Sequence, residues 1–165
     1  MQIDYFRDSG AVFSPCNAYR YHLWRRWETG PRVAFIMLNP STADATRNDP
    51  TIERCHRRAI RMGFKALDVV NLFAYRATDP RNLKASADPV GPDNDAVLIE
   101  TAKSADMVIC AWGTHGTHHN RHQAVKSLLR RHDIRPHVLA LTKQGLPKHP
   151  LYLPYEQEPV AWDEF

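Results

Sequence analysis

The sequence predicts an α/β fold: a three-layer sandwich around a mostly parallel central sheet, with an added N-terminal edge strand. Four apolar runs have strand length and are rich in Val, Ile and Leu without strict alternation, as strands buried on both faces require. Helical patterns lie between these runs, and such alternation gives parallel strands joined by right-handed crossovers. Because 165 residues is an ordinary domain length, we expect residues 1–165 to form a single domain.

Strands are predicted in five segments. Residues 18–27, AYRYHLWRRW, alternate between an aromatic and apolar face and a basic face that carries Arg20 and Arg26, a pattern typical of an edge strand. The other four segments are the apolar runs themselves, at residues 32–38, 66–73, 106–112 and 137–142. Their order along the chain is that of a repeated strand and crossover.

Three helices are predicted between the apolar runs. Asp49 and Pro50 form a cap and first turn, apolar residues follow at helical spacing, and Gly63 ends the helix. The arginines of this helix are expected to point mostly outward. The second helix is predicted over residues 93–103 and the third over residues 119–132.

The overall charge and the cysteines restrict the class of protein. The formal net charge of +4 and the pI near 9.1 suit an anionic partner, although +4 is also an ordinary solubility charge for a small domain. Cys16, Cys55 and Cys110 are odd in number and widely spaced, which favours neither a disulfide framework nor a zinc ribbon. With no apolar leader or membrane-length apolar run, we expect a cytoplasmic protein with no membrane contact.

Polar residues leave the carboxyl ends of the predicted strands, where ligand sites of α/β sheets lie. Asn39 and Pro40 follow the first apolar run, so the Asn39 amide either holds a water or sugar at the site or caps a turn. Asn71 interrupts the run VVNLF, where an unpaired amide costs roughly 1–3 kcal/mol. It therefore either reads the edge of a base or bonds to backbone inside the fold.

Two further pairs follow the later strands. Trp112 and Gly113 end the third apolar run and offer either a stacking surface beside a flexible backbone or ordinary core packing. His149 precedes Pro150 in the last loop, where an imidazole can donate to a ligand oxygen and stabilise a departing anion, or remain an inert surface group.

The order of these pairs resembles the four motifs of the uracil-DNA glycosylase superfamily, over residues 33–150. The turn MLNP is similar to its first motif, VVNLF to the strand that carries its base-reading Asn, ICAWG to its Trp-Gly strand end and KHP to its His-Pro loop. Longer phrases, among them SPCNAYRYHLWRRW, IMLNPSTADATRNDPTIERC and GPDND, resemble the bacterial family of unknown function DUF1643. The residues after Pro40 and Pro150 differ from those of the best-known uracil glycosylases, so the base is left open.

The superfamily resemblance implies a uracil-DNA-glycosylase-like hydrolase that cleaves the N-glycosidic bond of a modified or deaminated base, in DNA or in a nucleoside or nucleotide. Asn39 would orient the attacking water, His149 would stabilise the base anion, and Asp44, or else Asp49, would add a carboxylate. The implied base-binding residues are Asn71, Phe73, Tyr75, Trp112 and Gly113. The implied phosphate or DNA contacts are Pro40, Ser41, Thr42, Arg47, Arg76, Arg81, Ser86 and Lys148, although for any one of the arginines a solvated basic rim is the alternative.

The alternative from another class is a non-catalytic nucleic-acid or nucleotide-binding module on the same fold. In either case the expected partner is DNA or a nucleotide with an altered base, with no cofactor and no obligate protein partner. A metal site is also weighed, because four histidines lie close together in the sequence: His115, His118, His119 and His122. Since no Glu accompanies them in an H-E-x-x-H pattern, we expect no metal.

Overall fold

The structure is a computed structural model that describes residues 8–163 and 165. The strands within these residues are β1 (Asp8–Phe13), β2 (Arg20–Arg26), β3 (Arg32–Met37), β4 (Ala66–Asn71), β5 (Met107–Cys110), β6 (His137–Val138) and β7 (Val160–Ala161). The helices are α1 (Pro50–Arg61), α2 (Pro80–Ala85), α3 (Asn94–Ser104) and α4 (Arg121–Arg131). Two 3₁₀ segments, Thr114–Asn120 and Pro150–Tyr152, lie in the loops.

The strands form one sheet in the order β1-β2-β4-β3-β5-β6-β7. Strands β4, β3, β5 and β6 are parallel to one another, whereas β1 with β2, β2 with β4, and β6 with β7 pair antiparallel. The prediction of a mostly parallel sheet is therefore wrong for the whole sheet, which is mixed. The short connection between β1 and β2 permits only an antiparallel hairpin, because a parallel pair needs a long crossover.

The predicted edge strand lies inside the sheet. β2 pairs with β1 on one side and β4 on the other, and β1 is the edge. Its residue Arg20 is buried at 2% exposure, which corrects the expectation that it belongs to a basic surface. The pairing explains the difference: Val12 lies opposite His22 but Phe13 lies opposite Arg20, so a bulge at the intervening Tyr21 turns Arg20 to the other face.

Helices cover both faces of the sheet, which gives three layers. On one face α1 packs against β3 and β4 through Ile52, Cys55 and Ala59. On the other face α3 and α4 pack through Leu98, Val125 and Leu129. Successive residues of β3 alternate between these two clusters, as a strand with both faces buried requires.

The structure confirms the three predicted helices and adds a short one. Asp49 caps α1, since its Oδ1 accepts a hydrogen bond from the Ile52 N–H at 2.9 Å, and α3 and α4 overlap their predicted segments. α2, capped by Asp79, was not predicted because its six residues are too few for a helical period. The outward orientation is wrong for Arg58, which is fully buried and donates to carbonyls of the segment that ends the chain.

Two sequence expectations concern the whole chain. Cys16, Cys55 and Cys110 are all free thiols, as their spacing predicts. Among the described helices, not one combines the length and the apolar character needed to cross a membrane.

Candidate functional site

A cavity of about 820 Å³ opens at the carboxyl ends of β3, β4 and β5, and we call it the strand-end cavity. The amino-terminal turn of α1, the loop from Thr142 to Leu153, the loop after β4 and Arg20 of β2 also line it. Four of the residues singled out in the sequence line it together: Asn39, Asn71, Trp112 and His149. Its volume lies within the usual range for small-molecule sites and exceeds that of one heterocycle.

Asn71 is the last residue of β4 and the most informative side chain of the cavity. It is 1% exposed, and neither its Nδ2 nor its Oδ1 has a hydrogen-bond partner among the described residues. A buried amide in that state costs roughly 1–3 kcal/mol. Bonding to backbone inside the fold, the alternative raised by the sequence, does not occur among the described residues, so the fold leaves the donor and the acceptor of this amide unpaired.

The backbone on either side of this amide is fixed from the opposite face of the sheet. The Asn94 Nδ2 donates to the carbonyls of Asn71 and Leu72 at 2.9 and 3.0 Å. The Arg121 Nε also donates to the Leu72 carbonyl at 2.8 Å, and its Nη2 pairs with Asp95 at 2.6 Å. Helices α3 and α4 therefore hold the end of β4, and with it the direction of the Asn71 side chain.

Asn39 combines both roles considered from the sequence. Its Nδ2 donates to the carbonyls of Ala77 and Pro40 at 2.7 and 3.1 Å, so it does tie the turn after β3 to the loop after β4. The side chain also lines the strand-end cavity. Since the amide nitrogen is held by carbonyls, the oxygen on the other side of the planar amide is the atom offered to a water or ligand.

His149 is oriented by its own loop. Its Nδ1 accepts a hydrogen bond from the Leu151 N–H at 3.2 Å, so the proton of the neutral imidazole lies on Nε2, which is then a donor. Burial lowers the pKa of His149 from its ordinary value, although the charge of Asp49 opposes the shift. The neutral Nε2–H donor therefore persists to lower pH than in a free histidine.

Gly113 joins the β5 end to the loop of His149. Its φ of 75° lies in the left-handed region that favours glycine. Its N–H donates to the Pro147 carbonyl at 2.8 Å, and a Cβ at Gly113 would lie 4.0 Å from the Cβ of His149. This turn brings the imidazole to the same cavity as the two amides.

The carboxylate of the cavity is Asp49 rather than Asp44. Asp44 lies outside the lining, and its Oδ1 accepts from the N–H groups of Thr46 and Arg47 at 2.9 and 2.8 Å, so it shapes its own loop. Asp49 lines the cavity. Its Oδ1 caps α1 and its Oδ2 accepts from the Ala43 N–H at 3.2 Å.

The aromatic residues proposed to stack on a base are less available. Trp112 is 1% exposed, and its indole packs against Trp162 at 5.8 Å between ring centroids. Phe73 is fully buried in the core on the α3 side and lies outside the cavity lining. Tyr75 contacts the Tyr19 ring edge-on at 6.0 Å and lines a neighbouring cavity instead. Core packing is thus the role that the contacts of Trp112 and Phe73 support.

The proposed phosphate contacts divide into three groups. Ser41, Thr42 and Lys148 line the strand-end cavity. A second cavity of about 660 Å³, which shares Ser41, Ala77 and Thr78 with the first, is lined by Tyr75, Arg76 and Ser86. The remaining candidates, Pro40, Arg47 and Arg81, lie outside both linings, and the exposed Arg81 pairs with Asp79 at 2.7 Å.

The four neighbouring histidines do not share one helical face. His118 lies in the 3₁₀ segment and His122 in α4, with non-helical backbone at His118 and His119 between them. Within residues 8–163, no group of three or more His, Cys, Asp or Glu side chains is placed to hold a metal ion. Only His115 of the four lines the strand-end cavity.

A comparison with protein families matches residues 20–151 to the family described as Protein of unknown function (DUF1643). The chain belongs to the DUF1643 family. No curated protein and no solved structure matches it. The matched range of this DUF1643 chain contains all four of Asn39, Asn71, Trp112 and His149.

Sequence reasoning missed the buried cation of the DUF1643 cavity, and assigned its carboxylate a minor role. Arg20 lines the cavity, is 2% exposed, and has a buried Nε with no partner among the described residues. Asp49 was recognised chiefly as a helix cap. The signal for Arg20 was its place in an otherwise alternating strand, but the bulge that turns it inward leaves no mark in the alternation.

Proposed function

We propose that this protein is a base-excising N-glycosidase on a uracil-DNA-glycosylase-like fold, acting on a modified or deaminated base in DNA or in a nucleoside or nucleotide. The observation that carries the proposal is Asn71, whose buried amide has an unused donor and an unused acceptor in a cavity. Nucleobase edges present donors and acceptors side by side, and an amide pairs with such an edge through two hydrogen bonds.

The proposed reaction uses three side chains around the bound base and sugar: His149, Asn39 and Asp49. The bond between the anomeric carbon and the base nitrogen breaks, and its electron pair leaves with the base. His149 donates a hydrogen bond from its Nε2–H to the developing base anion, while the Asn39 oxygen accepts a hydrogen bond from the water that adds to the anomeric carbon. The proton that this water loses ends on the released base, so the products are the neutral base and the sugar.

Asp49 supplies negative charge near the reacting sugar in this scheme. Its carboxylate stabilises an oxocarbenium-like sugar electrostatically, as carboxylates do in glycoside hydrolysis. Both of its oxygens accept backbone N–H groups, which fixes its position at the start of α1. Because those contacts also occupy the carboxylate, Asp49 acts through its charge and does not remove the proton from water.

The unpaired Asn71 amide also supports the second candidate, a non-catalytic nucleotide-binding module. The Asp49 carboxylate accepts from two backbone donors and the Asn39 nitrogen donates to carbonyls, so the group assigned to the sugar and the group assigned to the water both have structural roles as well. Asn71 and His149 would then recognise a base without hydrolysis.

The deciding experiment measures release of free base. Single-stranded and double-stranded oligonucleotides with a panel of deaminated, oxidised and alkylated bases, and the matching nucleosides and nucleoside monophosphates, are incubated with the protein. Abasic sites and free bases are then quantified for wild type, Asn71→Leu and His149→Gln. We expect release of one base class by wild type and a reduction of about 100-fold or more in each variant, since each loses a preorganised transition-state contact.

His132→Gln is the matched control, because this exposed histidine lies outside the cavity lining. It should release base at the wild-type rate. Base release by none of the proteins, together with saturable binding of a nucleotide, would establish the binding module instead. Equal release by wild type and His149→Gln would remove the imidazole from the mechanism.

A further inference from the structure

Strand β2 contains two buried arginines whose surroundings differ. Arg25 is fully buried, and its guanidinium donates to the Asn48 side chain and to the carbonyls of Trp24, Asp44, Ala45 and Arg47. Its donors are used to hold the loop before α1, which is a structural role. A buried cation normally requires this degree of pairing.

Arg20 is 2% exposed but has far fewer contacts. Its Nη1 donates to the Ala43 carbonyl at 3.1 Å, and its Nε is buried with no partner among the described residues. Among those residues no ion pair within 4.0 Å involves Arg20. A carboxylate does lie close, but both oxygens of Asp49 are bonded to backbone N–H groups.

Arg20 and Asn71 both line the strand-end cavity, and each has a buried polar atom with no partner among the described residues. Burial lowers the pKa of Arg20 to about 10, against the opposing charge of Asp49, so the guanidinium remains a cation at neutral pH. Two buried polar groups with free hydrogen-bonding atoms therefore share one cavity. One of them is neutral, and the other carries a positive charge.

The geometry points to Arg20 as the receptor for an anionic oxygen of a ligand in the strand-end cavity. A guanidinium presents donors that match the oxygens of a phosphate or of an ionised oxo-base. This inference rests on the proposed function, since it specifies which ligands that same cavity takes. The anionic oxygen belongs either to a nucleotide phosphate or to the base itself, and these two sources are separable by experiment.

Titration calorimetry with defined probes tests the inference by measuring their binding affinities. The probes are inorganic phosphate, nucleoside 5′-monophosphates, the corresponding nucleosides, and the free bases uracil, hypoxanthine and xanthine, titrated into wild type, Arg20→Lys and Arg20→Gln. We expect at least one anionic or oxo-bearing probe to bind wild type, with affinity reduced about 10- to 100-fold in Arg20→Gln and by less in Arg20→Lys. Loss for monophosphates alone assigns the phosphate, whereas loss for nucleosides and bases as well assigns the oxo group.

A measurement on the wild-type protein covers the case in which the variants fail to fold. Arginine Nε–H signals are observed by ¹⁵N-edited NMR during the same titrations, with Arg25 as the internal reference because its Nε already donates to Asn48 at 2.9 Å. The Arg20 signal should shift with ligand while that of Arg25 does not. An unmoved Arg20 signal at saturation, or equal affinity in Arg20→Gln, would overturn the inference, as would the failure of every probe to bind wild type.

The two hypotheses fail in different ways. Arg20-dependent binding without release of any base would leave this inference in place and refute the glycosidase. Base release at an unchanged rate in Arg20→Gln would support the glycosidase and refute the role inferred for Arg20.

Discussion

Two buried asparagines at the end of β4 show how the two sides of the sheet differ. On the α3 side, Asn94 donates to the carbonyls of Asn71 and Leu72. On the cavity side, Asn71 uses neither atom of its amide. The residue type and the burial are the same, so the difference lies in what each side chain meets. The first stabilises the fold, whereas the second costs stability that a ligand can recover.

The same contrast extends to the arginines near this strand end. Arg121, on the α4 side, has its Nε on the Leu72 carbonyl and its Nη2 on Asp95, whereas Arg20, on the cavity side, keeps a buried Nε without a partner among the described residues. On the α3 and α4 side, the donors of Asn94 and Arg121 therefore fix the strand end, although the buried Asn94 Oδ1 also has no partner among the described residues. On the cavity side, the Asn71 amide and the Arg20 Nε are unpaired at a fixed position, which is the arrangement expected of a preorganised binding site.

The largest effect is expected from removing the structural member of the asparagine pair. Asn94→Leu deletes both side-chain hydrogen bonds from α3 to the end of β4, while the Leu72 carbonyl keeps the Arg121 donor. We expect the free energy of unfolding in urea to fall by about 3 kcal/mol. Glu100→Leu, on the exposed face of the same helix, is the control and should unfold near the wild-type midpoint. An unchanged unfolding midpoint in Asn94→Leu would contradict the claim that Asn94 stabilises the fold.

A smaller fall in the free energy of unfolding is expected at acid pH, from His56 on the cavity side of the sheet. Burial lowers the pKa of His56 to about 4, so the folded state binds its proton less readily than the unfolded state. Stability from this residue is complete above about pH 6.5 and declines as the pH falls toward 4. At pH 5 the linkage amounts to about 2 kcal/mol, measured as the difference between urea unfolding at pH 7 and pH 5.

His56→Gln should flatten this pH dependence, whereas His132→Gln, at an exposed position, should keep it. The buried carboxylate of Asp68 does not contribute to the change in stability between pH 7 and pH 5. Burial raises the pKa of Asp68, but hydrogen bonds and charge from His22 and Arg32 outweigh it and keep the pKa below its ordinary value. Its contribution is therefore lost only below about pH 4. A slope between pH 7 and 5 that His56→Gln leaves unchanged would assign the effect to other histidines.

The elements that could be predicted from the sequence are those fixed by local pattern. The apolar runs and the Asp49 cap located the parallel strands and α1, and the convergence of strand ends placed Asn39, Asn71 and His149 in one lining. These predictions succeed because they depend on periodicity and on the geometry of parallel sheets.

What could not be predicted depends on pairing between distant segments. A bulge opposite Phe13 turns Arg20 into the cavity, and neither the register nor the bulge is visible in β2 alone. The positions of Asp44 and Asp49 relative to the cavity differ for a similar reason, since both lie in one polar loop and only the fold of that loop separates them. The loss of stacking surface at Phe73 likewise follows from α3 covering that side.

The cavity-side member of the asparagine pair, Asn71, should change the free energy of unfolding with the opposite sign. Asn71→Leu replaces an amide without hydrogen bonds by an apolar side chain of similar volume, and we expect the free energy of unfolding to rise by about 1 kcal/mol. Ligand binding in the calorimetric titrations should fall at least ten-fold in the same variant. A loss of stability as large as that of Asn94→Leu would show that Asn71 has a structural role after all.

The smallest predicted effect is on binding affinity and concerns two exposed basic residues, Lys148 and Arg81. Comparing them also tests the size of the ligand. Lys148 lines the strand-end cavity whereas Arg81 does not, and both are exposed. For a nucleoside monophosphate, Lys148→Ala should weaken binding by about 2- to 5-fold, as exposed charges do, and Arg81→Ala should leave it unchanged. If the ligand is instead a strand of DNA that runs beyond the cavity past α2, Arg81→Ala will also weaken binding and will reduce the slope of log affinity against log salt by about one. Titrations of a mononucleotide and of an oligonucleotide at several salt concentrations therefore decide whether the open side of the sheet receives one nucleotide or a polymer.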